Sequence, residues 1–218
     1  MIRVYFWKVP AARILWAIFH MALDRIPLKR NKSIRFWKLL GTGKGETFTP
    51  RDADAYRWGI LVVIEPDALE DFERTVVSHW RKIALNEFSA TLAPIASHGS
   101  WSRKTPFAST VPSGWSGEVV AITRARIKWR KNLRFWNAVP PVTGALRTSP
   151  GLLGAIGIGE APLGLQGTFS LWQNDKSLKD FAYRDSAHAG VIRATHREQW
   201  YAEELFARFA VIEKAGVL

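Results

Sequence analysis

A spacing of 109 residues recurs in this 218-residue chain. Leu69, Phe72, His79 and Ile83 return at that distance as Leu178, Phe181, His188 and Ile192. Arg35-Phe36-Trp37 returns as Arg134-Phe135-Trp136, and Leu92-Ala93-Pro94-Ile95 resembles Phe209-Ala210-Val211-Ile212. A chain built as two like units is tightly constrained. Each unit that covers one sheet face with helices leaves the other bare, and the two bare faces must bury each other.

Each unit reads as βαββαβ. In the first, Arg3 to Lys8 alternates like a strand, and Pro10 opens a helix that runs to about Leu23. Ser33 to Leu40 and Arg57 to Glu65 are strands, Pro66 begins a helix that reaches about Asn86, and Glu87 to Ser97 is a strand broken by Pro94. The second unit follows the same order. It has strands at Glu118 to Lys128, Leu153 to Glu160 and Gln166 to Gln173, and a last strand near Glu204 to Ile212. Helices are predicted over Lys131 to Leu146 and Lys176 to Trp200. The order is that of the ferredoxin-like split βαβ motif. The expected fold is α+β: two tandem ferredoxin-like units forming an intramolecular dimeric α/β barrel. Residues 1–97 would be the N-terminal unit, 98–117 a Ser/Gly/Pro-rich linker and 118–218 the C-terminal unit.

Apolar residues make up 47% and charged residues 23%, as in an ordinary globular protein. Eleven tryptophans suit core packing or the wall of a site for a large, flat apolar ligand. The net charge of +12 favours anionic partners, but the basic clusters Lys29 to Lys32 and Lys128 to Lys131 are short. A solvated basic face is the preferred reading, and no nucleic-acid partner is expected. The absence of cysteine excludes disulfides, iron–sulfur clusters, zinc-thiolate sites and thiolate-ligated haem, and fits a cytoplasmic protein. Ala11 to Leu23 is apolar but is interrupted by Arg13 and His20, and falls short of the roughly 20 residues a membrane span needs. A buried amphipathic helix is the preferred reading. Peripheral contact with a membrane, through Trp16, Phe19 and the basic Arg25 to Lys32, is the alternative.

Among motifs, Gly41-Thr42-Gly43-Lys44-Gly45 lacks the Walker A ending, and Gly154-Ala155-Ile156-Gly157-Ile158-Gly159 is not followed by a helix. Close backbone approach or bulging explains both. Ser116 does not sit in a nucleophile elbow. His188 and His196 are eight residues apart on one predicted helix, about 12 Å along its axis, too far for one ion. A lone histidine facing an apolar cavity would suit haem ligation, although such a residue is more often structural.

The chain resembles the spheroidene monooxygenase family of carotenoid-modifying oxygenases. The matching stretches are Ile34 to Glu46 with Phe48-Thr49-Pro50, Ala121-Ile122-Thr123-Arg124-Ala125, Leu133 to Trp136, Ile156-Gly157-Ile158-Gly159-Glu160, and Ala187-His188 through Trp200 to Phe209. The resemblance implies a haem-dependent monooxygenase that uses O2 and an electron donor on a long apolar, carotenoid-like substrate. It also implies kinship with dimeric α/β-barrel haem proteins, among them chlorite dismutases, dye peroxidases and aldoxime dehydratases. In those the iron ligand is a histidine on a helix of the C-terminal unit. Haem b iron would then be held by His188. Lys38, Arg184 and Arg193 would meet its propionates, Arg124 would act on the distal, catalytic side, and Trp172 and Trp200 would wall the cavity. His79 would be a structural relic. A different haem reaction, or a haem-free binding protein of the same fold, stays open, as does homo-oligomerisation.

Overall fold

The computed structural model describes residues 1–44, 52–109, 114–127, 146–160, 167–184 and 201–218. Eight strands close into an antiparallel barrel: β1 (Ile2–Lys8), β2 (Ile34–Gly43), β3 (Ala53–Ile64), β4 (Asn86–Gly99), β5 (Val119–Ile127), β6 (Leu152–Gly159), β7 (Gly167–Trp172) and β8 (Tyr201–Ala215). Around the barrel they run β1-β3-β2-β6-β7-β5-β8-β4. The first four strands thus have the spatial order β4-β1-β3-β2, and the second four have the same order, β8-β5-β7-β6. Closure leaves no free sheet edge.

Two seams join the halves, and the recurring segments lie on them. At one, Leu92, Ala93 and Pro94 pair with Val211, Ala210 and Phe209, so the two similar segments face each other about Ala93 and Ala210. At the other, Gly41-Thr42-Gly43 pairs with Gly159-Ile158-Gly157. This antiparallel pairing of like with like is what a two-fold relation between halves requires. The glycine-rich segments, then, bring backbones together at a seam: a Cβ built on Gly157 would lie 3.6 Å from Gly43 Cα.

Strand periodicity sorts the core. Every second side chain points inward. Phe6, Phe88 and Phe169 meet inside the barrel with ring centroids 5.1–6.4 Å apart. Phe36, Trp101, Phe107 and Phe209 form a second aromatic group there. Trp101 and Phe107 come from the segment read as a linker, and their rings fill the barrel rather than hanging in solvent. Among the described residues, these side chains pack together in the interior.

Pro94 does not break β4. The strand continues to Gly99, with its register shifting between Pro94 and Ala96. Beyond Leu92, where pairing with β1 ends, β4 pairs only with β8, and a bulge accommodates the missing N–H. β8 is also longer than predicted, because it spans both halves, pairing with β5 and β4.

Helices cover the outer faces. Between β1 and β2 lie α1 (Ile14–Leu23) and α2 (Arg25–Arg30). Between β3 and β4, α3 (Leu69–Phe72), a π-helical turn (Glu73–Val77) and α4 (Ser78–Ile83) run on from one another. In the second half, α5 (Asp175–Arg184) follows β7. The helix predicted over Lys131 to Leu146 lies almost wholly outside the described residues, as do the last 16 residues of that predicted over Lys176 to Trp200.

Polar bonds pin this layer. Buried Asp24 accepts a 2.8 Å hydrogen bond from Trp80 Nε1, tying the α1–α2 corner to α4. Burial raises the Asp24 carboxyl above its ordinary value, opposed by the Trp80 bond and by His20 and His79. His79 packs near His20 at 5.9 Å, within this helical layer. On β1, the Tyr5 hydroxyl donates to Glu73, which also pairs with Arg3 and Arg81.

One glycine position is fixed by close approach. A Cβ on Gly59 would lie 2.4 Å from the Phe6 ring and 2.8 Å from the Tyr5 carbonyl oxygen. Gly59→Ala should lower unfolding stability by about 1–3 kcal/mol, through overpacking against rigid neighbours. Urea unfolding would show this as a lower midpoint with an unchanged slope.

Candidate functional site

The inward positions at one end of the barrel are charged instead of aromatic. Lys38 follows Phe36 on β2, Arg124 follows Ile122 on β5, Glu160 follows Ile158 just beyond β6, and Glu203 precedes Leu205 on β8, all at the same two-residue parity. Four separate stretches therefore place two cations and two anions at one mouth.

The cluster is densely hydrogen-bonded. Glu160 accepts hydrogen bonds from Lys38 Nζ at 2.5 Å, Trp101 Nε1 at 2.7 Å and Arg124 Nη2 at 2.8 Å. Arg124 Nη1 donates to Glu203 at 2.7 Å. Glu203 also accepts from Ser100 Oγ at 3.1 Å and from the backbone N–H groups of Ser102 and Arg103 at 3.1 and 2.6 Å. Lys38 donates to Ser102 Oγ as well. The Trp101 ring lies under both cations, 5.7 Å from Lys38 and 5.5 Å from Arg124.

A strained turn makes this possible. Trp101 and Lys104 exchange backbone hydrogen bonds around Ser102 and Arg103, which both have positive φ, 54° and 59°. That is the backbone of a type I′ turn, which usually takes Asn-Gly because ordinary side chains are disfavoured there. Here the two consecutive N–H groups aim at one carboxylate, as in an anion-binding nest, and Glu203 offsets the strain.

The electrostatics follow. Burial alone would raise the Glu203 carboxyl, but the N–H of Arg103, the Arg124 guanidinium and the Ser100 and Ser102 bonds outweigh it and lower it to about 2. For Glu160, burial again opposes ionisation; the bonds from Lys38 and Trp101 and the charges of Lys38 and Arg124 win, holding it below its ordinary value. Both acids are ionised at neutral pH, so neither is a proton donor there. The network fixes the mouth of the barrel in place.

A groove of about 440 Å³ opens beside this mouth, between α2 and β2. Its lining includes Arg25, Leu28, Lys29, Lys38 and Glu160.

Of the predicted site residues, the structure brings Lys38 and Arg124 together, 2.5 and 2.8 Å from Glu160. Lys38 is thus paired, and two of the Arg124 nitrogens are committed to carboxylates. Trp172 lies elsewhere. It is fully buried among Val119, Ala121, Leu178 and Phe181, under α5, and its indole N–H donates to Ser170 Oγ at 2.9 Å. Arg184 is the last residue of α5. His188, Arg193 and Trp200 lie outside the described residues. Glu160, Glu203 and Trp101 were not foreseen as site residues. The alternation of each strand, continued one step past its last apolar residue, would have flagged both acids. Among the described residues no group of three or more His, Asp or Glu is arranged to hold a metal ion.

Fold and site define a closed eight-stranded antiparallel barrel, its mouth locked by a partly buried ionic network. The same fold occurs in a solved aldoxime dehydratase in complex with butyraldoxime, with 7% identity, 97% of this chain and 79% of that chain covered, and a TM-score of 0.57. No protein-family model matches the chain. It is 36% identical over 208 residues to the spheroidene monooxygenase of Rhodobacter capsulatus, covering 92% of this chain and 85% of that protein. It is 32% identical to that of Cereibacter sphaeroides over 93% of this chain, which spans 63% of the relative's length. The chain belongs to the spheroidene monooxygenase family, a family of oxidoreductases. Lys38, Arg124, Glu160 and Glu203 each come from one of the stretches that carry the family resemblance.

Two outcomes test the network. Arg124→Met should cost about 1–3 kcal/mol in chemical unfolding, because each carboxylate loses one charged donor while keeping its others. Glu203 has a depressed folded pKa, so its contribution is present above its unfolded value near 4.3 and lost as pH falls toward about 2. Glu203→Gln should therefore lower Tm at neutral pH and flatten the acid side of the Tm–pH curve across that window.

Proposed function

We propose that the chain is a haem-dependent monooxygenase that inserts oxygen into a long apolar, carotenoid-like substrate, with His188 as the iron ligand. The observation that carries the reading is 36% identity to a spheroidene monooxygenase across 92% of the chain. The identical strand order of the two halves and the pairing of similar segments at the seams support an origin as two tandem ferredoxin-like units. Residues 118–218 would form the cofactor-binding unit.

The described residues limit where things can go. Among the described residues, aromatic rings pack against one another in the barrel interior. Lys38 and Trp172 do not fit a haem cradle, the first being paired with Glu160 and the second having no exposed surface. His188 with Arg184, Arg193 and Trp200 would hold the group. Haem, when bound, supplies activation of O2 with electrons from a separate donor. The network's part is scaffolding: it holds β2, β5, β6 and β8 in register, so that Arg124 acts as a positioning residue, not on substrate.

Titration of the purified chain with haemin tests this. A saturable Soret band at one haem per chain is expected, and His188→Ala should lose or shift it. A colourless wild type would overturn the haem reading. An unchanged spectrum in His188→Ala with loss in His196→Ala would move the ligand. Incorporation of labelled O2 into an acyclic carotenoid, with a reductant present, tests the reaction itself.

A further inference from the structure

We propose that α1 and α2 form a docking face for an anionic lipid bilayer. Leu15 is 81% exposed, Ile18 50%, Phe19 67%, Leu23 41% and Ile26 49%. Leu15, Phe19, Leu23 and Ile26 follow one another at three to four residues, with Ile18 beside Phe19, which puts them in one stripe along the helical stretch, on the side away from the barrel. The opposite stripe is already used: Ala17 and Leu28 are buried against the first half, and Trp16 and Met21 pack there too. A helix apolar all round normally has protein on every side. Here one side faces solvent. The remaining exposed large apolar residues, such as Tyr56, Leu153 and Ile212, lie on other elements.

Charge selects the occupant. Arg13, Arg25, Lys29, Arg30 and Lys32 flank the stripe and are exposed, and the one acid in residues 11–33, Asp24, is buried on Trp80. A second copy of this chain, which carries +12, would bring cation to cation across a two-fold interface. An anionic lipid surface meets both needs. The stripe enters the acyl boundary, and the flanking cations meet phosphate headgroups. Arg25 and Lys29 also line the groove beside Lys38, so the docked face would set the mouth of the groove at the lipid surface. The face is independent of the reaction and of haem.

Vesicle co-sedimentation of the full chain tests it. Wild type should bind phosphatidylcholine vesicles containing one-third phosphatidylglycerol, and bind pure phosphatidylcholine much less. Ile18→Glu with Phe19→Glu should weaken binding roughly tenfold or more, with an unchanged circular dichroism spectrum and Tm, since both side chains already face water. Arg25→Glu with Lys29→Glu should weaken binding to the anionic vesicles by roughly tenfold or more while leaving the residual binding to neutral ones. Failure of wild type to bind, or equal binding by the Ile18/Phe19 variant, overturns the proposal. So does a solution dimer that this variant abolishes without any vesicle binding by wild type, because a second copy would then cover the face.

Discussion

Closure of the barrel is the constraint on which everything else depends. Four strands of each half would leave β2 and β4, or β6 and β8, as open edges with unsatisfied backbone groups. The two seams satisfy them at once. Closure also creates an inside, and strand alternation then decides which residues enter it. The aromatic filling and the charged mouth are two consequences of one parity.

The mouth shows how a partly buried charge cluster is made tolerable. Removing ions from water is expensive unless every lone pair and proton finds a partner. Two cations against two anions give no net charge, the indole and hydroxyl donors fill the remaining sites, and the turn at Ser102 and Arg103 adds two backbone donors. Strain at two positive φ values is held by a carboxylate 100 residues away in the chain. Such a network is costly to break and gives one geometry when intact, which suits a scaffold.

Much of the fold was legible in the sequence. Alternation in Arg3 to Lys8 and Glu118 to Lys128, the Pro-initiated helices and the recurring segments led to eight strands and a barrel. What escaped had physical reasons. Pro94 reads as a breaker, yet a bulge at the margin of the β1 pairing absorbs it. The 98–117 stretch has linker composition, yet Trp101 and Phe107 are the residues that plug the barrel. Lys38 and Arg124 were singled out, but their acid partners were not, because Glu160 and Glu203 each sit one alternation step outside the apolar run of their strand. The apolar outer side of α1 was visible as composition. Only its exposure distinguishes an uncovered face from a core helix.

The seam between β4 and β8 has a consequence for how the chain is made. Ser89 pairs with Ala215, and β8 follows the other described strands in chain order. Until it docks, β4 and β5 both carry open edges, and the rings meant for the interior face water. Assembly is therefore governed by the arrival of one 15-residue strand. Such pairing, remote in sequence, is slow to form. A chain in which β8 has not yet docked is at its most aggregation-prone.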